Sequence, residues 1–263
     1  MDVERLNRAI ELRDTARVEE ALREFTELGR LTSDPGEKAS LLLNESDALA
    51  EMGRFDEAER RVREAVDICP TPELRCHAGV AQADNMTLAR KWATALAELD
   101  RAATEYPDVI RGEQFRYLYE GIQVRRGLIL VQINRFEEAR DVLQECISFD
   151  LSTTYRWKVL YNLGRCYFDL KEPARAKQVF LEFLQEGGDA AHVASAHFLL
   201  GTIYYNEGAD AKAVMEFEWL LPRMTEVGMP GSVLYTWLAK THKMLGNKAE
   251  AERYEVLAKK SDR

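Results

Sequence analysis

The sequence is poor in residues that break helices and in patterns that do chemistry. Only seven of 263 residues are Pro, which leaves nearly the whole chain open to helix. The four cysteines, Cys69, Cys76, Cys146 and Cys166, form no CxxC pair, which excludes the compact zinc and redox motifs. Three of them fall at or beside expected helix-packing positions. They read as buried or partly buried free thiols, with a disulfide or metal role as the alternative. No apolar run approaches the roughly 20 residues of a membrane span, and the stretch from Met1 to Arg5 lacks the basic and apolar regions of a signal peptide. A cytoplasmic chain with no membrane partner is expected. Positive charge is also in deficit: 36 Lys and Arg against 45 Asp and Glu leave a net charge of −9. That balance argues against nucleic acid as a partner, because phosphate binding needs a basic face. There is no Gly-rich phosphate loop, no HExxH and no GxSxG. His192 and His197 are five residues apart, off a common helix face, and His197 and His242 stand at aromatic packing positions. No catalytic residue, cofactor or metal is expected, and the chain reads as non-enzymatic.

What the chain does contain is one unit repeated. In Leu160-Tyr161-Asn162-Leu163-Gly164-Arg165-Cys166-Tyr167, followed by Ala176, Phe180 and Phe183, apolar residues recur at helical spacing on either side of Pro173. The spacing predicts two antiparallel helices. Gly164 and Ala176 are small where the helices cross closely, and the large residues fill the groove beside them. The same small-to-small step of twelve residues recurs as Ala9/Ala21, Ser46/Ala58, Ala83/Ala95, Gly127/Ala139, Gly201/Ala213 and Ala239/Ala251. Its first members are separated by 37, 37, 44, 37, 37 and 38 residues, and a fixed period of this kind is the mark of a solenoid. Four residues after each Ala stand Phe25, Val62, Leu99, Leu143, Phe180, Phe217 and Glu255. Only the last is polar, as expected where no further repeat covers it.

These residues resemble the tetratricopeptide repeat family. Leu160, Leu163, Gly164, Tyr167, Ala176 and Phe180 match its pattern, as do Leu200, Gly201, Tyr204, Ala213 and Phe217. Pro70 and Pro107 stand at its closing Pro, and Gly53, Gly208, Gly246 and Asn134 at its mid-turn position. The resemblance implies an all-α, right-handed α-solenoid of about seven antiparallel helix pairs, a single domain over 1–263. Its repeats run at about 2–36, 39–72, 76–109, 120–153, 157–190, 194–227 and 232–263. The longer step of 44 places seven additional residues at about 108–119, expected as two more turns on the fourth repeat's first helix, with an ordinary loop as the alternative.

The resemblance further implies a non-catalytic protein- or peptide-binding scaffold, with the first helices lining a concave face. Projected onto that face are Asn44, Asp47, Glu51, His77 and Asp84, then Arg125, and then Lys158, Tyr161, Asn162, Arg165, Phe198, Thr202, Tyr205 and Lys240. The expected groove is acidic in its N-terminal part, through Asp47, Glu51 and Asp84, and basic in its C-terminal part. Twenty of the 24 aromatics follow Pro107, and Tyr161, Phe198 and Tyr205 project off the core stripe. Aromatics beside Lys and Arg are typical anchors for a peptide. We therefore expect Tyr161, Phe198 and Tyr205 as anchors, and Asn162, Arg165 and Lys240 as donors to carboxylate or carbonyl groups. The expected partner is a protein or extended peptide with an acidic segment or C-terminus, bound to a monomer or homodimer. A two-carboxylate clamp of the kind some family members use is incomplete here. The alternatives are self-association through Phe115, Leu118 and Tyr119, and a small-ligand or signal-peptide sensor. The latter would use Glu45, Gln82 and Arg126, polar where the family has Leu; a structural ladder between first helices is the other account of those three.

Overall fold

The computed structural model describes residues 2–68 and 71–261. Cys69, Pro70 and the last two residues of the seventh expected repeat lie outside the described residues. The rest fold into α-helices, with no strand among the described residues, and divide into two compact units, Met1–Arg135 and Phe136–Arg263. The first unit holds α1 Val3–Asp14 with α2 Val18–Leu31, α3 Pro35–Glu51 with α4 Phe55–Ile68, and α5 Pro72–Leu88 with α6 Trp92–Glu105. It closes with α7 Pro107–Arg111, a 3₁₀ turn Glu113–Phe115 and α8 Arg116–Gln132. In the second unit, α9 Phe136–Cys146 precedes the pairs α10 Thr153–Asp169 with α11 Pro173–Glu186, α12 Ala190–Asn206 with α13 Asp210–Leu220, and α14 Gly231–Met244 with α15 Lys248–Ser261.

Several helices start where the chain supplies a cap. The side chains of Asp34, Thr71 and Asp189 each accept a hydrogen bond from the amide three residues on, contributing about 1 kcal/mol per helix. Pro35, Pro72 and Pro173 occupy first-turn positions where no amide is needed. Within each pair the expected small residues are buried at the crossing. Ala21, Ala58, Ala95, Ala139, Ala176, Ala213 and Ala251 are all buried. So are Phe25, Val62, Leu99, Leu143, Phe180 and Phe217, while Glu255 is exposed.

One feature of the turns recurs in all seven copies. The residue seven after the small one, Ala16, Gly53, Arg90, Asn134, Lys171, Gly208 or Gly246, adopts a left-handed backbone. The next residue's amide then donates to the carbonyl three after the small one, as in Arg17 to Leu12, Arg54 to Leu49, Glu172 to Tyr167 and Ala209 to Tyr204, at 2.8–2.9 Å. This closure satisfies an orphan carbonyl at the helix end and, in the pairs that lie within one unit, aims the second helix back along the first.

The additional residues do not lengthen the fourth repeat's first helix. At Gly112 the backbone becomes extended, and its amide bonds to the Asp108 and Val109 carbonyls, which ends α7 after five residues. Helix α8 then has 17 residues, the length of α3, α5, α10 and α12. Leu118 is buried, Phe115 and Tyr119 are half-buried, and the large hydrophobic exposed there is Tyr117. The surface available for self-association is smaller than the sequence implied. Cys76 and Cys166 are free and buried, and Cys146 is buried. Burial pushes the Cys76 and Cys166 thiols up to about 11 and about 12, so they stay protonated and unreactive.

Candidate functional site

The second unit contains the expected site residues, on α10, α12 and α14. These three helices lie side by side, and their side chains interlock. Between α10 and α12, the Tyr161 hydroxyl meets the Ser195 hydroxyl at 2.8 Å, and the Trp157 and Tyr161 rings flank His192 at 5.1 and 4.5 Å. Between α12 and α14, Phe198 and Tyr205 meet Trp237 edge-on at 6.1 and 5.4 Å.

The expected residues separate into two groups on this wall. Tyr161 is 7% exposed, with its ring against Phe180 and Phe183. It is a packing residue rather than a projecting anchor, because its place lies too near the crossing with α11. Asn162 is also buried and donates its amide to the Lys158 carbonyl at 2.8 Å. The Thr202 hydroxyl is buried and donates to the Phe198 carbonyl at 3.0 Å. Both short polar side chains turn back onto their own helix, as such residues often do, so neither projects as the sequence suggested. Phe198 and Tyr205 remain half-buried. Arg165 is half-buried, with Asp169 at 3.9 Å.

The cations are held over rings. The Lys158 ammonium lies 5.5 Å from the Trp157 ring centre and 5.8 Å from that of Tyr155, and Lys240 lies 5.1 Å from Trp237. Such contacts contribute roughly 0.5–1 kcal/mol at exposed sites. Trp157 and Trp237, which hold these cations, were not among the residues singled out from the sequence. The available signal was register, since Trp237 stands two before Ala239 just as Asn162 stands two before Gly164. His197 and His242 pack as expected. His197 stacks on Trp219 at 3.8 Å and contacts Glu216 at 2.7 Å, and His242 stacks on Tyr254.

In the first unit the acidic face is largely neutralised. Arg13 reaches Asp47 at 3.2 Å, with Glu51 at 4.0 Å, and the Arg125 guanidinium grips both oxygens of Asp84 at 2.7 and 2.8 Å. The pairs come from residues 34 and 41 positions apart, which periodicity alone does not reveal. Asp47, His77, Asp84, Arg125 and Asn44 line a groove of about 320 Å³. Desolvation there, then the like charge of Asp84, pushes the Asp47 carboxyl up to about 7, although 36% of its side chain remains exposed. His77 is lowered by burial and by Arg125, and its Nε2 sits 3.0 Å from the Tyr117 hydroxyl.

Glu45, Gln82 and Arg126 do not form a ladder between first helices. Glu45 pairs with Arg61 on α4 at 2.8 Å, and Arg126 pairs with Asp100 on α6 at 2.8 Å. Gln82 lines a separate groove with Arg63 and Arg101, whereas Glu45 lines one with Arg61 and Lys38. Each polar side chain turns toward a second helix, where long basic or acidic chains can reach it from the surface. No one pocket collects all three.

Two segments, residues 121–153 and 158–186, match family models of the tetratricopeptide repeat. No curated protein matches the chain significantly. Among solved structures, pilF of Pseudomonas aeruginosa is 19% identical with a TM-score of 0.65, covering 86% of this chain and 92% of that one. The C-terminal part of a TPR repeat-containing protein from Cytophaga hutchinsonii is 13% identical, TM-score 0.61, covering 96% of this chain and 93% of that one. The apo form of RapI is 14% identical, TM-score 0.60, covering 98% of this chain and 74% of that one. At these identities the likeness is one of fold.

Proposed function

We propose that this chain, a tetratricopeptide-repeat protein, is a non-catalytic scaffold whose second unit holds an extended acidic peptide against α10, α12 and α14. The observation that carries this reading is the segregation of charge. Those three helices contain Arg156, Lys158, Arg165, Lys240 and Lys243 against Asp169 as their one acidic residue, in a chain of net charge −9. Arg156 is turned to Glu182 and Glu186 on α11, which leaves Lys158, Arg165 and Lys240 facing the wall. Phe198, Tyr205 and Trp237 supply apolar contact between them, because amphipathic rings offer much area for little lost side-chain freedom. Tyr161, Asn162 and Thr202 support these groups from behind.

Rigid helices make the wall ready before the ligand arrives, so the ordering cost falls mainly on the peptide. An array of acidic, neutral and basic peptides probed with the full chain tests the reading, with Arg165→Glu/Lys240→Glu as control. Acidic peptides should be retained by the wild type and lost by the double variant. Acidic peptides bound equally by both would remove the assignment of this face.

A further inference from the structure

We propose that the peptide is read at two cationic stations, Lys158 on α10 and Lys240 on α14, so that its two acidic side chains stand six residues apart with uncharged residues between. This rests on the peptide-binding reading above and adds to it the spacing of the partner's charges.

Lys158 lies six residues before Gly164, and Lys240 one residue after Ala239. At about 100° per residue the two fall within about 20° of the same direction around their helices, measured from the small residue at the crossing. Both therefore point to one side of the wall. Each ammonium is fixed over a Trp ring, and neither has a carboxylate within 4.0 Å among the described residues. A cation over an aromatic face keeps its outer hemisphere open to a second partner. The intervening helix α12 contains no Lys, Arg, Asp or Glu, and presents half-buried Phe198 and Tyr205. The middle of the ligand thus meets rings and hydroxyls, where a charge would lose hydration without gaining a partner.

The span follows from helix geometry. Each first helix is returned by its partner, so α10, α12 and α14 run parallel, and two steps between neighbouring helices cover roughly 16–20 Å. The seven-residue offset between the two stations adds about 10 Å along the axis, giving a diagonal of roughly 20 Å. An extended chain advances about 3.3 Å per residue with side chains alternating between its two faces, so about six residues cover that diagonal and bring both acidic groups to the side facing the wall.

The test uses the full chain and labelled peptides with two Glu set three, six, seven or twelve positions apart in an otherwise Ala, Ser and Leu sequence, read by fluorescence anisotropy. The six-residue spacing should bind roughly fivefold more tightly than the others, the effect of one exposed ion pair gained. Lys158→Glu and Lys240→Glu should each abolish that preference, and Lys158→Arg and Lys240→Arg should preserve it. Thermal melts by circular dichroism confirm that the variants are folded. Binding that is equal at all spacings would overturn the two stations while leaving the peptide reading in place. No binding at any spacing would overturn the peptide reading itself. Tighter binding of a single-stranded oligonucleotide than of every peptide would overturn both, because the rings would then be stacking on bases.

Discussion

The Phe180 ring of α11 lies directly over the backbone of Gly164 in α10, so near that a Cβ on Gly164 would stand 2.6 Å from it. The same relationship recurs between Phe217 and Gly201. Phe180 is fully buried, with Ala176 equally buried one turn before it, so the ring has nowhere to retreat. Gly164→Ala should therefore destabilise the protein by about 1–3 kcal/mol through overpacking, outweighing the roughly 1 kcal/mol that Ala gains in helix propensity. Gly29 in α2 is the matched control, because a Cβ there meets nothing within 4 Å. Gly29→Ala should stabilise by up to about 1 kcal/mol. Urea unfolding of the two variants checks the pair, and a stabilising Gly164→Ala would refute the close crossing.

The left-handed turn position yields a second prediction. Gly53, Gly208 and Gly246 adopt it freely, whereas Arg90 at φ 57° and Lys171 at φ 62° adopt it with a side chain. Replacing either by Gly relieves the contact between Cβ and the carbonyl, at some cost in unfolded-chain entropy. Lys171→Gly and Arg90→Gly should each raise stability by about 0.5–1 kcal/mol, seen as a higher urea midpoint with an unchanged slope.

Asp47 makes the stability of the first unit depend on pH. Its folded carboxyl titrates near 7 rather than at 3.8, so between those values the folded chain holds a proton that the unfolded chain has released. Stability attributable to this group falls as pH rises from about 4 to about 7 and is level above. Asp47→Asn should remove that slope and exceed the wild type above pH 7. The difference should be on the order of 1 kcal/mol, after discounting for a side chain one-third open to solvent. His77, lowered by burial and Arg125, contributes the opposite slope in acid, so the comparison is variant minus wild type at pH 5 and pH 8. A wild type that gains stability relative to Asp47→Asn between pH 5 and pH 8 would contradict the assignment.

The fold was legible because its determinants are local and repeated. Small residues, the large residues after them and the capping Asp, Thr and Pro residues lie at fixed offsets within one pair. The site was legible only in part. Lys158, Lys240, Phe198 and Tyr205 keep their helical projection, but Tyr161 is drawn inward by Phe180 and Phe183, and Asn162 and Thr202 bond their own helix. Those choices depend on neighbours that period and register do not encode. The Arg13–Asp47 and Arg125–Asp84 pairs join different repeats and were hidden for the same reason. At 108–119, seven additional residues fit either two helical turns or a broken segment, and the extended backbone at Gly112 selects the second.

In the proposed complex an acidic peptide lies across α10, α12 and α14. The indole N–H signals test it directly, because the chain has four tryptophans and only Trp157 and Trp237 stand beside the proposed cations. Trp219 is stacked between His197 and Arg223, and Trp92 opens α6 in the other unit. In a ¹⁵N-resolved titration with a peptide bearing two Glu six residues apart, Trp157 and Trp237 should shift in a saturable, salt-sensitive manner while Trp92 and Trp219 stay in place. Saturable shifts confined to Trp92 or Trp219, or four unmoved signals at saturating peptide, would contradict the account.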